Sequence, residues 1–159
     1  MTTKKVVSLL AVAVLPAAAL LTTAAPAGAD HGPECTRQGT SADDVLRGTP
    51  ERDVLCGLSG KDSLFGYGGD DVLRGDAGSD RLRGGDGKDE LLGGAHDDLL
   101  MGGADDDELD GGPGDDLLVD GMGSDTLNGG AGAGDVCFGR RTTTFEGCER
   151  VVLAGRRVP

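Results

Sequence analysis

An aspartate returns every nine residues without a slip, at Asp44, Asp53, Asp62, Asp71, Asp80, Asp89, Asp98, Asp107, Asp116 and Asp125, and a leucine stands two residues after each, from Leu46 to Leu127. Glycine follows two further on, from Gly48 to Gly129, and only Asp120 breaks the row. Composition could make a chain rich in glycine and aspartate, but it could not hold three residue types in phase from Asp44 to Gly129. A fixed period of this kind demands a repeat architecture, in which each unit is one structural element that buries its apolar side against its neighbours.

Each unit divides into a six-residue segment rich in glycine and ending in Asp, followed by three residues of the form x-Leu-x. Three residues suit a short strand whose middle side chain points one way while its neighbours point the other. The leucines are therefore expected inside. The glycines let the intervening backbone turn through positive φ. The fourth position of the segment is glycine in most units but His96 and Asp105 in two. Both residue types enter the left-handed region with some ease, so His96 reads as a turn residue rather than a catalytic base.

Two units make one flattened 18-residue coil: loop, strand, loop, strand. Stacked coils give an all-β solenoid with two parallel sheets facing each other across leucine, and ten units give about five coils. The coil itself supplies the crossover that parallel strands need. Coiling also sorts the aspartates into two columns. Asp44, Asp62, Asp80, Asp98 and Asp116 fall on one edge, and Asp53, Asp71, Asp89, Asp107 and Asp125 on the other.

That arrangement has an electrostatic problem. The chain carries 28 acidic against 15 basic residues, with one Tyr, three Phe and no Trp. Carboxylates one strand spacing apart repel, and high net charge with a thin apolar interior is the signature of disorder unless something neutralises it. So acidic a surface also argues against nucleic acid as a partner. A hard divalent cation answers the repulsion, and calcium accepts irregular sets of six to eight oxygens where magnesium demands a tight octahedron.

The segments GDAGSD (75–80), GGDGKD (84–89), GGAHDD (93–98), GGADDD (102–107) and GGPGDD (111–116), each followed by x-Leu-x, resemble the RTX, or hemolysin-type, calcium-binding nonapeptide GGxGxDxUx. The resemblance covers residues 43–130. It implies a right-handed parallel β-roll with calcium between loops on the same edge. The implied ligands are the carboxylates of Asp53, Asp62, Asp71, Asp80, Asp89, Asp98, Asp107, Asp116 and Asp125. Backbone carbonyls of the glycine segments join them, at Gly75, Gly78, Gly84, Gly87, Gly93, Gly102, Gly111 and Gly114. Up to about eight ions follow if each sits between adjacent loops. GTPERD (48–53) lacks the second and fourth glycines, and GLSGKD (57–62) and GYGGDD (66–71) lack the second, so the early sites are expected to be weak or empty. Past Asp125 the spacing slips by one residue, to Asp135 and Cys137, which reads as the end of the roll.

The ends carry separate signals. Lys4 and Lys5, the apolar run from Val6 to Leu21, and Ala27-Gly28-Ala29 read as a secretory signal over residues 1–29, with cleavage after Ala29 and a secreted product. The run is shorter than the ~20 residues a membrane anchor needs. The expected domains are then an N-terminal cap (30–42), the roll (43–130) and a C-terminal cap (131–159). Four cysteines in an exported chain point to two disulfides. Three pairings are possible, and Cys35 with Cys56 and Cys137 with Cys148 is the expected one, because each closes a short loop at one end of the array.

No G-x-S-x-G elbow, P-loop or HExxH is present. The expected function is that of a non-enzymatic calcium-binding protein. The alternatives are a calcium-dependent adhesion or extracellular-matrix module and an accessory module of an exoenzyme. Leu99, Met101, Leu117 and Val119 flank inward leucines on neighbouring coils and form a possible contact surface, unless Val151, Val152 and Leu153 fold back over them.

Overall fold

A computed structural model describes residues 34–154. Residues 1–33 and 155–159, and with them the expected signal peptide and its cleavage point, lie outside the described residues. In chain order the strands are β1 (Arg37–Gln38), β2 (Val45–Arg47), β3 (Val54–Ser59), β4 (Ser63–Gly68), β5 (Val72–Ala77), β6 (Arg81–Asp86) and β7 (Glu90–Ala95). They continue with β8 (Leu99–Ala104), β9 (Glu108–Pro113), β10 (Leu117–Val119), β11 (Thr126–Ala131), β12 (Val136–Gly139), β13 (Thr144–Glu146) and β14 (Arg150–Leu153). Odd-numbered strands form one seven-stranded sheet and even-numbered strands the other, and every paired neighbour runs parallel. This is the expected two-sheet β-solenoid, and among the described residues no helix is long and apolar enough to cross a membrane.

From β1 to β11 the strands lie in register at a spacing of 18 residues, so identical units stack: Leu55 beside Leu73, Leu73 beside Leu91, Leu82 beside Leu100. Leu55, Leu64, Leu73, Leu82, Leu91, Leu100, Leu109, Leu118 and Leu127 are all buried and form one continuous core with Cys137. Fully burying one leucine contributes about 1.5–3 kcal/mol. One apolar side chain per unit is the whole interior, which leaves the aspartates on either side of it to decide stability.

Two features differ from the sequence reading. Most strands are six residues long rather than three, because pairing continues through the first glycines, as in Leu58 beside Asp76 and Ser59 beside Ala77. The roll also extends past residue 130. The extra residue falls in the Ala131–Asp135 loop, after which Leu118 pairs with Cys137 and Leu127 with Phe145, and a shortened last turn pairs Cys137 with Val151. A slip in a loop leaves the strand phase intact, and Cys137 and Phe145 take the inward positions of two further leucines. With β12, β13 and β14 at the C-terminal end, and β1 added from the expected N-terminal cap, the sheets hold seven strands each where about five had been expected.

Both ends are fastened. Cys35 bonds to Cys56 and Cys137 to Cys148. The first disulfide draws the N-terminal segment over the outer side of the odd-strand sheet, where Cys35 packs on Val54, Cys56 and Val72. Asp120, the one break in the glycine row, ties down the turn after β12. Its Oδ2 accepts the N–H of Arg140 at 2.7 Å and the hydroxyl of Thr143. Val151, Val152 and Leu153 do not fold back over the apolar residues of the even-strand sheet. They join it as its edge strand, with Val152 beside Phe138.

Candidate metal centre

The repeating aspartates are the most buried charged groups in the described chain. Asp53, Asp62, Asp71, Asp80, Asp89, Asp98, Asp107, Asp116, Asp125 and Asp135 are each 5% exposed or less. Their placement follows from the unit: leucine points inward, and the aspartate two residues before it ends the glycine segment on the same side. Each carboxylate then reaches along the stack. The N–H of Asp44 donates to Asp62 Oδ1, that of Asp62 to Asp80 Oδ1, and so on through Asp98 and Asp116 to Asp135, at 2.7–2.8 Å. The second column repeats the pattern from Asp53 through Asp71, Asp89 and Asp107 to Asp125, at 2.7–3.0 Å. Each aspartate therefore stitches its coil to the one before.

From Asp62 onward only one oxygen of each carboxylate is used. Oδ2 of Asp62, Asp71, Asp80, Asp89, Asp98, Asp107, Asp116, Asp125 and Asp135 is buried without a hydrogen-bond partner. An unpaired buried charge is costly, and a whole row of them is not an accident of packing. The glycine five residues earlier makes the room. A Cβ on Gly75, Gly84, Gly93, Gly102 or Gly111 would collide with Oδ2 of Asp80, Asp89, Asp98, Asp107 or Asp116 respectively. At Gly93 it would also lie 2.6 Å from the carbonyl oxygen of Gly111, on the next coil. An unpaired carboxylate oxygen thus lies near a glycine carbonyl of the next coil. A proton or a cation would satisfy it.

Among the described residues no three His, Cys, Asp or Glu side chains converge on one point. A cation here must take much of its coordination from backbone carbonyls, which suits hard, oxygen-seeking calcium. Gly78, Gly87 and Gly114 are at the fourth position with positive φ, packed on the carbonyls of Gly60, Gly69 and His96 of the preceding coil. His96 and Asp105 have φ of 83° and 74°, as expected of turn residues.

Electrostatics separates two kinds of aspartate. Burial, reinforced by the neighbouring carboxylates of the column and opposed by the N–H bond each accepts, pushes Asp89, Asp98 and Asp107 up to about 7 and Asp116 up to about 6. Asp62, Asp71, Asp80 and Asp135 are raised from the same causes. Asp53 is the exception: burial acts on it too, but bonds from the hydroxyl and amide of Thr49 and the hydroxyl of Thr36 hold its carboxyl below the ordinary value.

The nine-residue period places Asp44 to Asp125 in these columns but stops short of Asp135. The signal was present, since Asp135-x-Cys137 keeps the Asp-x-apolar pattern one residue late. Glu149 lies outside the repeat pattern: its Oε2 accepts the N–H of Asp135 at 2.9 Å and closes the first column as a further aspartate would. Its unit has no glycine pair to announce it.

No curated protein matches the chain. The family described as RTX calcium-binding nonapeptide repeat (4 copies) matches at residues 38–73, 74–109 and 101–136, a span that holds most of the unpaired carboxylate oxygens and the glycines that make room for them. The chain belongs to the RTX calcium-binding nonapeptide repeat family.

Proposed function

We propose that this is an exported, non-enzymatic calcium-binding protein whose roll folds as its loops take up the metal. The observation that carries the reading is the row of nine buried, unpartnered Oδ2 atoms from Asp62 to Asp135. Without a cation the folded state must bury these charges or protonate them, and one leucine per unit offsets little of that cost. With calcium, binding free energy becomes folding free energy. Uptake is then cooperative and suits the ~10⁻⁴–10⁻³ M range of extracellular modules. Export is supported by the charge and apolar pattern of residues 1–29 and by the two disulfides. The thin interior and the absence of recognisable catalytic motifs support a non-enzymatic role.

Far-UV circular dichroism of the disulfide-intact chain tests the coupling. Under chelator the spectrum is coil-like at neutral pH, and millimolar calcium, but not magnesium, converts it to β-sheet. A β-rich spectrum that calcium leaves unchanged would sink the reading.

One observation favours a second reading, a calcium-ordered adhesion or matrix module. On the even-strand sheet the positions flanking the inward residues carry no carboxylate, despite the acidity of the chain. Leu99 lies beside Leu117 and Met101 beside Val119, and the apolar row runs on to the half-exposed Phe138. Contiguous exposed apolar groups of this kind often mark contact surfaces. In this reading calcium induces assembly visible by light scattering, and replacing Leu99 and Leu117 by Ser abolishes it while calcium binding persists. A roll that stays monomeric in millimolar calcium would refute it.

A further inference from the structure

Two carboxylates in the columns already have what the others lack. Asp44 Oδ2 accepts the N–H of Thr40 at 2.6 Å and its hydroxyl at 2.8 Å. Asp53 Oδ2 accepts the N–H of Thr49 at 2.6 Å and its hydroxyl at 2.8 Å. These are the outermost aspartates of their columns, and from Asp62 onward the same oxygen has no partner.

The difference lies in the second residue of the segment. In the units that end in Asp62 to Asp116 this residue is Leu58, Tyr67, Asp76, Gly85, Gly94, Gly103 or Gly112, always in the left-handed region, with φ from 69° to 138°, and in the Asp125 unit it is Gly121, which is not left-handed but has no hydroxyl to offer. Thr40 and Thr49 hold the equivalent places and are not left-handed. A β-branched residue resists that region strongly, so threonine gives the loop a different course, one that turns its own amide and hydroxyl onto the carboxylate. Each hydroxyl also accepts an N–H two residues on, from Ala42 or Glu51 at 3.2 Å. That bond leaves the hydroxyl proton free for the aspartate. Two donors on one charged oxygen satisfy what a cation would otherwise have to satisfy.

We infer that Thr40 and Thr49 are metal-replacing caps: threonine stands where the cation stands in later coils, so Asp44 and Asp53 take no calcium and each column of sites begins one coil inward, at Asp62 and Asp71. The inference rests on the calcium reading of the later coils. It removes Asp53 from the ligands that the family resemblance implies. It also gives both loops of the outermost coil a closure that does not depend on metal, beside the Cys35–Cys56 bond.

The dependence of melting temperature on calcium concentration tests this on the full chain, because a ligand bound only by the folded state raises Tm with a slope that grows with the number of ions taken up. Replacing both threonines by Val is expected to lower Tm by roughly 5–10 °C at every calcium concentration, giving a line parallel to that of the unmodified chain. Asp98→Asn is expected to flatten the slope. The Thr40→Ser, Thr49→Ser chain, which keeps both hydroxyls, returns to the original line. A flattened slope in the valine chain would place the threonines in ion sites and overturn the proposal, as would a valine chain with unshifted Tm. If the unmodified chain itself shows no slope, the calcium reading falls instead. The caps then stand only if valine still lowers Tm and serine restores it.

Discussion

Acid substitutes for calcium: in chelator, the chain gains β-sheet as the pH falls from about 7 towards 4. Asp89, Asp98 and Asp107 are pushed up to about 7 and Asp116 to about 6, above the ordinary value of 3.8, chiefly by burial. A carboxyl whose folded-state pKa is raised binds a proton in the folded state that the unfolded chain has already lost. Its contribution to stability is therefore fully present below 3.8 and is lost as the pH climbs through about 6 to 7. Calcium and protons compete for the same oxygens. Calcium added at a pH of about 6 should release protons, and its midpoint should rise about tenfold or more for each pH unit lost below about 7. Circular dichroism under chelator across this range, with proton release followed by pH-stat, checks both halves. A chain that stays coil-like at a pH of about 4.5 without metal contradicts the account, as does calcium uptake that releases no protons.

The second large effect is expected from a single methyl group. An alanine Cβ at position 84 would overlap the Asp89 carboxylate and lie 2.7 Å from its Cγ, in the middle of the second column. Either the aspartate leaves, breaking the bond from the Asp71 amide, or the coil opens. Gly84→Ala should cost about 3 kcal/mol or more and raise the calcium midpoint for folding accordingly. Gly68→Ala, in the preceding coil, is the control. Nothing lies within 3.7 Å of its added Cβ and its φ is not positive, so the change should stay within about 0.5 kcal/mol. Calcium titrations of both variants by circular dichroism, side by side, decide the matter. Equal midpoints would mean that the space beside Asp89 Oδ2 holds nothing of consequence.

Much of this molecule is legible without coordinates because each unit solves the same local problem. Leucine at every ninth position has only one dry place to go, and a nine-residue unit that makes half a turn must bring residues 18 apart into register. The two sheets, the inward leucines from Leu55 to Leu127, the aspartate columns and the left-handed His96 and Asp105 all follow from the period and from backbone sterics. The disulfide pairing follows nearly as directly, since each bond closes a short loop beside an end of the array.

Tertiary structure decided whatever depends on the coil next door. The spacing shows that Asp53 and Asp89 are equivalent in sequence, but not that Thr49 already hydrogen-bonds the first while the second is left with an unpaired oxygen. It shows the slip before Asp135, but not that the Ala131–Asp135 loop absorbs it and lets Cys137 and Phe145 continue the interior. Nor does it show Glu149 closing a column, or Val152 settling beside Phe138 instead of covering Leu99 and Leu117. The physical reason is the same each time. Periodicity reports what one unit does by itself, whereas hydrogen-bond satisfaction, the end of the stack and the cover of a sheet face are properties of the contact between one coil and the next.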